Sequence, residues 1–355
     1  VSTIEELQAI INQVNLDVAE KLVAKLEANP WVADTAEATA FLNEMISVKE
    51  SKAAKKALLD RLDAVEAVYK VLSAKENTED MAGILRDQKV SNNEDAFKNV
   101  KSLGDKYRAA IFAEFEENTR VTVADIQAVI DQVNAEHVSD LIGEVVAAAE
   151  AEPLDTDALN ALNAALTELK TFVGATVWSD DAASISSEEE NLKQYGEAIK
   201  EQQPTTVEEI IAILVEANTV VEINNETDAE ALAKIIWNLK VAEFINLADD
   251  SAREDVAGAV MAPEKPYKST AEFKAAVVEV VATYLELIEA VETAGDKVDL
   301  AKALTAAFEF IGKINKGDSV VSTMVDNVWE YMAEEDFKGF KSITEIWEAA
   351  KADPA

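Results

Sequence analysis

The sequence predicts an all-α protein, and three observations carry that prediction. Only 10 Gly and 6 Pro interrupt 355 residues, while helix-favouring Ala, Glu, Leu, Lys and Val dominate. Apolar residues recur at i, i+3, i+4 and i+7, the spacing that gathers one face of a helix. A helix-start signature, a Ser or Thr followed three residues later by an acid, opens several of these runs.

The clearest start is Thr122-Val123-Ala124-Asp125, followed by Ile126, Val129, Ile130 and Val133 on one face. The Thr hydroxyl is placed to accept from the amide three residues on, and Asp125 to accept from the amide of Thr122. Asn134 is read as the stop, because Asn tolerates the left-handed backbone of a helix C-terminus. The pattern returns at Thr3 (running into Leu7, Ile10, Ile11, Val14 and Asn15), at Thr206 (running into Ile213, Leu214 and Asn218), at Ser269 and at Ser342, with a weaker copy at Asp63 and Glu66. Starts at 3, 63, 122, 206, 269 and 342 are separated by 60, 59, 84, 63 and 73 residues. A period near 60 with one insertion predicts tandem helical-bundle repeats in an elongated array. Tyr267 and Phe340 each precede a capping Ser by two residues, where a ring can pack back on the new helix as a hydrophobic staple does.

In order, helices are expected over 1–28, 35–48 and 52–75, with breaks at Asn29-Pro30 and Glu76-Asn77. Thr78 to Met81 starts another element, Ser91 to Glu94 turns, and a helix from Ala96 is interrupted near Gly104. Beyond Asn134 come 138–150, a break at Pro153 and 158–172; residues 174–190 are the insertion. Helices follow Pro204, Asp228, Arg253 and Ser269, then span 298–311 and 322–332 before the last copy. The domains read as 1–134 (two repeats), 135–218 (a repeat carrying the insertion) and 219–355 (repeats ending on a terminal repeat helix).

Function is bounded mainly by charge. Against 32 bases stand 69 acids, a net charge of −37, which repels phosphate backbones and anionic lipid alike. Nucleic acid is therefore excluded as a partner, and no apolar run is long enough for membrane insertion. With no Cys, disulfides, thiol catalysis and thiolate metal sites are excluded together. The sequence opens on Val1 without a charged-then-apolar leader, which reads as a removed signal peptide or an excised piece.

Catalytic chemistry has little to stand on. His137 is the single histidine, no Gly-x-Ser-x-Gly elbow is present, and neither phosphate-binding glycine motif occurs. Calcium is the most credible ligand: Asp155 and Asp157, and Asp180 and Asp181, offer hard oxygens on loops, without the EF-hand spacing. Solvated loop acids are the competing reading of the same residues.

Ala252 to Val260, Tyr267 to Val277 and Ile126 to Asn134 resemble helical repeats of the large surface-layer and cell-wall-associated proteins of Gram-positive bacilli. The resemblance implies a structural rather than catalytic role, an extracellular cell-surface location, and copies of itself and a cell-wall polymer as partners. It carries no active-site residue. The apolar faces of the first and last repeat helices, Leu7, Ile10, Ile11 and Val14, and Ile346 and Trp347, must pack on their own chain or on another copy. Unlike ends meeting head-to-tail do not close, so they build a filament or layer. A non-enzymatic, self-assembling structural protein is the expectation; an adhesin-like binding module presenting loop 174–190 is the alternative.

Overall fold

The computed structural model describes residues 3–45, 52–76, 79–179, 183–261 and 266–352. It is all-α: 73 % of the described residues are helical and 1 % strand. The chain divides into two compact units, residues 1–143 with 171–173, and 144–170 with 174–355.

In the first unit, α1 (Ile4–Ala28), α2 (Thr35–Met45) and α3 (Lys52–Ser73) pack around Ala19, Val23, Ala38, Leu42, Leu58 and Leu62. In α3 the apolar spacing 58, 62, 65, 68 and 72 keeps one face inward over its whole length. Arg61 leaves that face and forks onto Glu27 of α1, with Nε to Oε1 at 2.8 Å and Nη2 to Oε2 at 2.6 Å. A second core joins the end of α3 to α4 (Met81–Asp87), α5 (Gly104–Glu114) and α6 (Val123–Ala149) through Leu72, Leu85, Tyr107, Ile111, Ile126 and Ile130.

The second unit holds most of α7 (Thr156–Val173), then α8 (Glu189–Gln202), α9 (Val207–Asn225), α10 (Ala229–Asn238), α11 (Ala242–Ile245), α12 (Asp250–Val260), α13 (Thr270–Glu292), α14 (Lys297–Phe310), α15 (Ser322–Met332) and α16 (Ile343–Lys351). Leu159, Leu162, Leu166 and Leu169 give α7 a fully inward stripe. A Cβ on Gly196 of α8 would sit 3.0 Å from the Leu154 side chain, so glycine there permits the close approach. The larger core of this unit gathers α10 to α16 around Phe244, Val256, Phe273, Tyr284, Leu304 and Phe308.

All five strong start signatures open helices. The Thr3 hydroxyl accepts from Glu6 N–H at 3.1 Å. Asp125 N–H donates to Thr122 at 3.2 Å while Thr122 N–H donates back to the Asp125 carboxylate at 2.8 Å. Thr206 and Glu209 form the reciprocal box. Ser269 and Ser342 accept from Glu272 and Glu345, whose carboxylates reach one residue further back, to Lys268 N–H and Lys341 N–H. Tyr267 meets Phe273 edge-on with centroids 4.9 Å apart, as a staple requires.

Three expectations are corrected. Asp63 starts nothing: it lies inside α3, whose apolar face runs through it without a break. No helix begins at Ala96; Lys89–Val90 and Glu94–Asp95 instead form a short antiparallel hairpin turned by Asn92 and Asn93, both at positive φ. Asn134 does not stop its helix, which runs on to Ala149; the helices holding Asn15 and Asn218 likewise run on, to Ala28 as expected and to Asn225. Their side chains are used in another way.

Candidate functional site

The most exposed apolar face in the described residues belongs to α1. Ile4, Leu7, Ile10, Ile11, Val14 and Val18 are between 43 % and 84 % exposed, whereas Asn12, Ala19 and Val23 of the same helix are buried. At about 100° per residue, the two sets lie about 120° apart around the axis. The later part of α1 docks on α2 and α3 through Leu16, Ala19, Leu22, Val23 and Leu26, while residues 3–11 are exposed on every side. Exposed contiguous apolar surface marks interaction sites in proteins that otherwise coat themselves with charge.

Ile346 and Trp347 have a different fate. Ile346 is fully buried, and Trp347 packs edge-on against Phe308 at 4.9 Å with Lys351 Nζ over its ring. The partners this helix needed come from its own unit. Tyr284 locks its first turn: the buried phenol oxygen accepts from Ile343 N–H at 3.0 Å and donates to the Asp255 carboxylate at 3.0 Å. Asp255 also accepts from Thr344 N–H at 3.0 Å. Burial and the Asp255 charge push the Tyr284 phenol far above its ordinary value.

Asp155 caps α7, its Oδ1 accepting from Asp157 N–H at 3.1 Å and Ala158 N–H at 3.0 Å. Asp157 sits in the first turn, where an acid favours the helix dipole. Asp180 and Asp181 lie outside the described residues. Among the described residues, no group of three or more His, Asp or Glu side chains gathers to hold a metal. In the insertion, Trp178 is buried and donates from Nε1 to Ala183 O at 2.9 Å. His137 stands edge-on to Phe172 at 4.7 Å and accepts from Lys106 Nζ at 3.2 Å; the same ammonium reaches Asp140 at 3.2 Å.

Each unit contains one polar circuit of the same design. Lys101 N–H donates to Tyr107 OH at 2.8 Å, the phenol donates to Asn134 Oδ1 at 2.6 Å, and Asn134 Nδ2 donates to Asn99 O at 3.0 Å. In the second unit Ser186 N–H donates to Tyr195 OH at 3.2 Å, the phenol donates to Asn218 Oδ1, and Asn218 Nδ2 donates to Ser184 O at 3.0 Å. In both, the Asn lies twelve residues beyond the capping Thr and ties its helix to a loop whose carbonyl and amide are two residues apart. Burial pushes both phenols up. The Asn at that offset is visible in the sequence; its tyrosine partner is not.

Two grooves complete the surface. One of about 710 Å³ runs between α14 and α15, beside the exposed Val298. The other, of about 460 Å³, lies between α10 and α12, where the Arg253 guanidinium stacks at 5.0 Å on a half-exposed Trp237. Arg253 is itself held by Leu247 O at 2.9 Å and Asp250 at 2.7 Å. No family model, curated protein or solved structure matches the chain.

Proposed function

We propose that this chain is a non-enzymatic, extracellular structural protein of tandem helical units opening at Thr3, Thr122, Thr206, Ser269 and Ser342, whose copies assemble at the cell surface into a layer or filament. The carrying observation is the α1 stripe: large aliphatic side chains held open to solvent on a helix whose later part is already docked. The paired Tyr–Asn circuits support the repeat reading, since two unrelated bundles have no reason to share a side-chain lock at the same offset from a cap. Because Ile346 is buried and Trp347 packs half-buried against its own core, the contact is assigned to α1 and not to a meeting of first and last helices. Calcium enters as a counter-ion to the acidic surface.

Electron microscopy and sedimentation of the purified chain test the reading. Ordered polymers, or at least concentration-dependent association, are expected, with the double substitution Leu7→Asp and Ile11→Asp dispersing them while helicity stays intact. Monomers at every concentration would reject self-assembly and favour the adhesin-like reading, with 174–190 as the contact segment.

A further inference from the structure

The exposed residues of α1 follow a stricter rule than an amphipathic helix needs. Ile4, Leu7, Ile11, Val14 and Val18 are spaced 3, 4, 3, 4, a seven-residue repeat with Ile, Ile and Val at one seam position and Leu and Val at the other. That is the a/d seam of a coiled coil, with β-branched residues at a and Leu at the first d, the arrangement that favours two parallel strands. A stripe meant for an ordinary core broadens toward the 3.6-residue period; this one stays narrow, with only Ile10 beside it.

We propose that the occupant of this seam is α1 of a second copy, the two helices lying parallel about a two-fold axis. The inference rests on the self-assembly reading and specifies its partner and symmetry. Three features select the occupant. A parallel pair aligned residue on residue stacks all five layers, from Ile4 to Val18, whereas antiparallel pairing of a with d leaves one of five unmatched. The positions flanking the seam are Gln8, Ile10, Asn15 and Asp17; in a chain of net charge −37 they set only one acid beside the seam, so like-charge repulsion between copies is minimal there. Two heptads, about 22 Å of helix, are short for a free coiled coil. Here the later part of α1, from Leu16, is already docked on α2 and α3, so pairing extends an existing helix instead of nucleating one.

The seam ends where it should. The next d position is Lys21, whose ammonium would meet its own copy across a parallel pair, and from Ala19 onward the helix turns its apolar residues to its own core. A two-fold contact of this kind closes on itself. The product is a dimer, and a layer or filament is then built from dimers through another surface.

The chain has no cysteine, so single introduced thiols report the pairing directly. Leu7→Cys and Val14→Cys are made separately in the full chain and oxidised mildly, alone and mixed. A parallel seam gives a homodimeric disulfide from each variant alone, and adding Leu7→Glu to Val14→Cys abolishes that disulfide with the helical circular dichroism unchanged. Cross-linking of either variant only with an added Ile11→Cys variant, the a-to-d partner of an antiparallel pair, would overturn the parallel arrangement. A Val14→Cys disulfide that still forms in the Leu7→Glu background would overturn the seam altogether; in both cases self-assembly itself stands. A wild-type chain that stays monomeric would instead remove the reading on which the seam rests.

Discussion

Tyr195 and Asn218 show how much depends on single polar atoms in an apolar setting. Tyr195 is fully buried, and its oxygen is both the acceptor for Ser186 N–H and the donor to Asn218. Tyr195→Phe keeps the ring but strands the Ser186 backbone donor, at about 1–3 kcal/mol, although Asn218 Oδ1 still accepts from Asn191 Nδ2 at 3.0 Å; urea unfolding should show that loss, and Tyr107→Phe a similar one in the other unit. A loss in one unit only would break the equivalence of the circuits. The Asn residues are legible in the sequence as recurring features, yet their role is not: tolerance of left-handed backbone is a local property, while these amides bind carbonyls 34 and 35 residues away. The Glu27–Arg61 fork adds a pH dependence. Its hydrogen bonds from Arg61 hold the Glu27 carboxyl below its ordinary 4.5. A depressed acid stabilises the fold above that ordinary value and ceases to do so as pH falls through the folded value. Arg61→Met should therefore differ from wild type most above about pH 4.5, the difference shrinking on acidification; a gap in thermal midpoint that widens in acid would refute it.

Helix starts are the most legible feature because a cap is a contract between residues three apart. Thr206→Ala removes the acceptor for Glu209 N–H and should cost about 1 kcal/mol, measured as a shift in the denaturant midpoint at constant slope. Asp63 carries the same letters but fails as a start, since an apolar face that continues on both sides outweighs a cap signal. Whether an apolar face is covered is not legible at all. α1 and α16 have comparable stripes, yet Ile346 is sealed and Leu7 is open, because coverage is decided by helices distant in sequence. Residue type at Asp155 is equally silent about competition: its Oδ1 already serves two backbone amides, which leaves only Oδ2 to face a cation.

At the scale of the molecule, the strongest influence is a net charge of −37, which works against both folding and assembly. Two copies that approach carry that charge twice, and an apolar seam supplies no compensating ion pairs. Screening should then strengthen association. Moving from about 0.01 M to about 0.15 M monovalent salt shortens the Debye length from about 30 Å to about 8 Å, and both the thermal midpoint and the dimer affinity are expected to rise. A contact built on salt bridges would weaken over the same range, so the sign of the slope separates the two. Divalent ions should act through the same screening. Because no metal-holding cluster forms among the described residues, calcium and magnesium at matched ionic strength are expected to raise the midpoint equally. The measurement is a thermal melt in each ion beside a chelated control. A rise with calcium alone, at concentrations too low to change the Debye length, would require a built site, and Asp180 and Asp181 would then be the first residues to substitute.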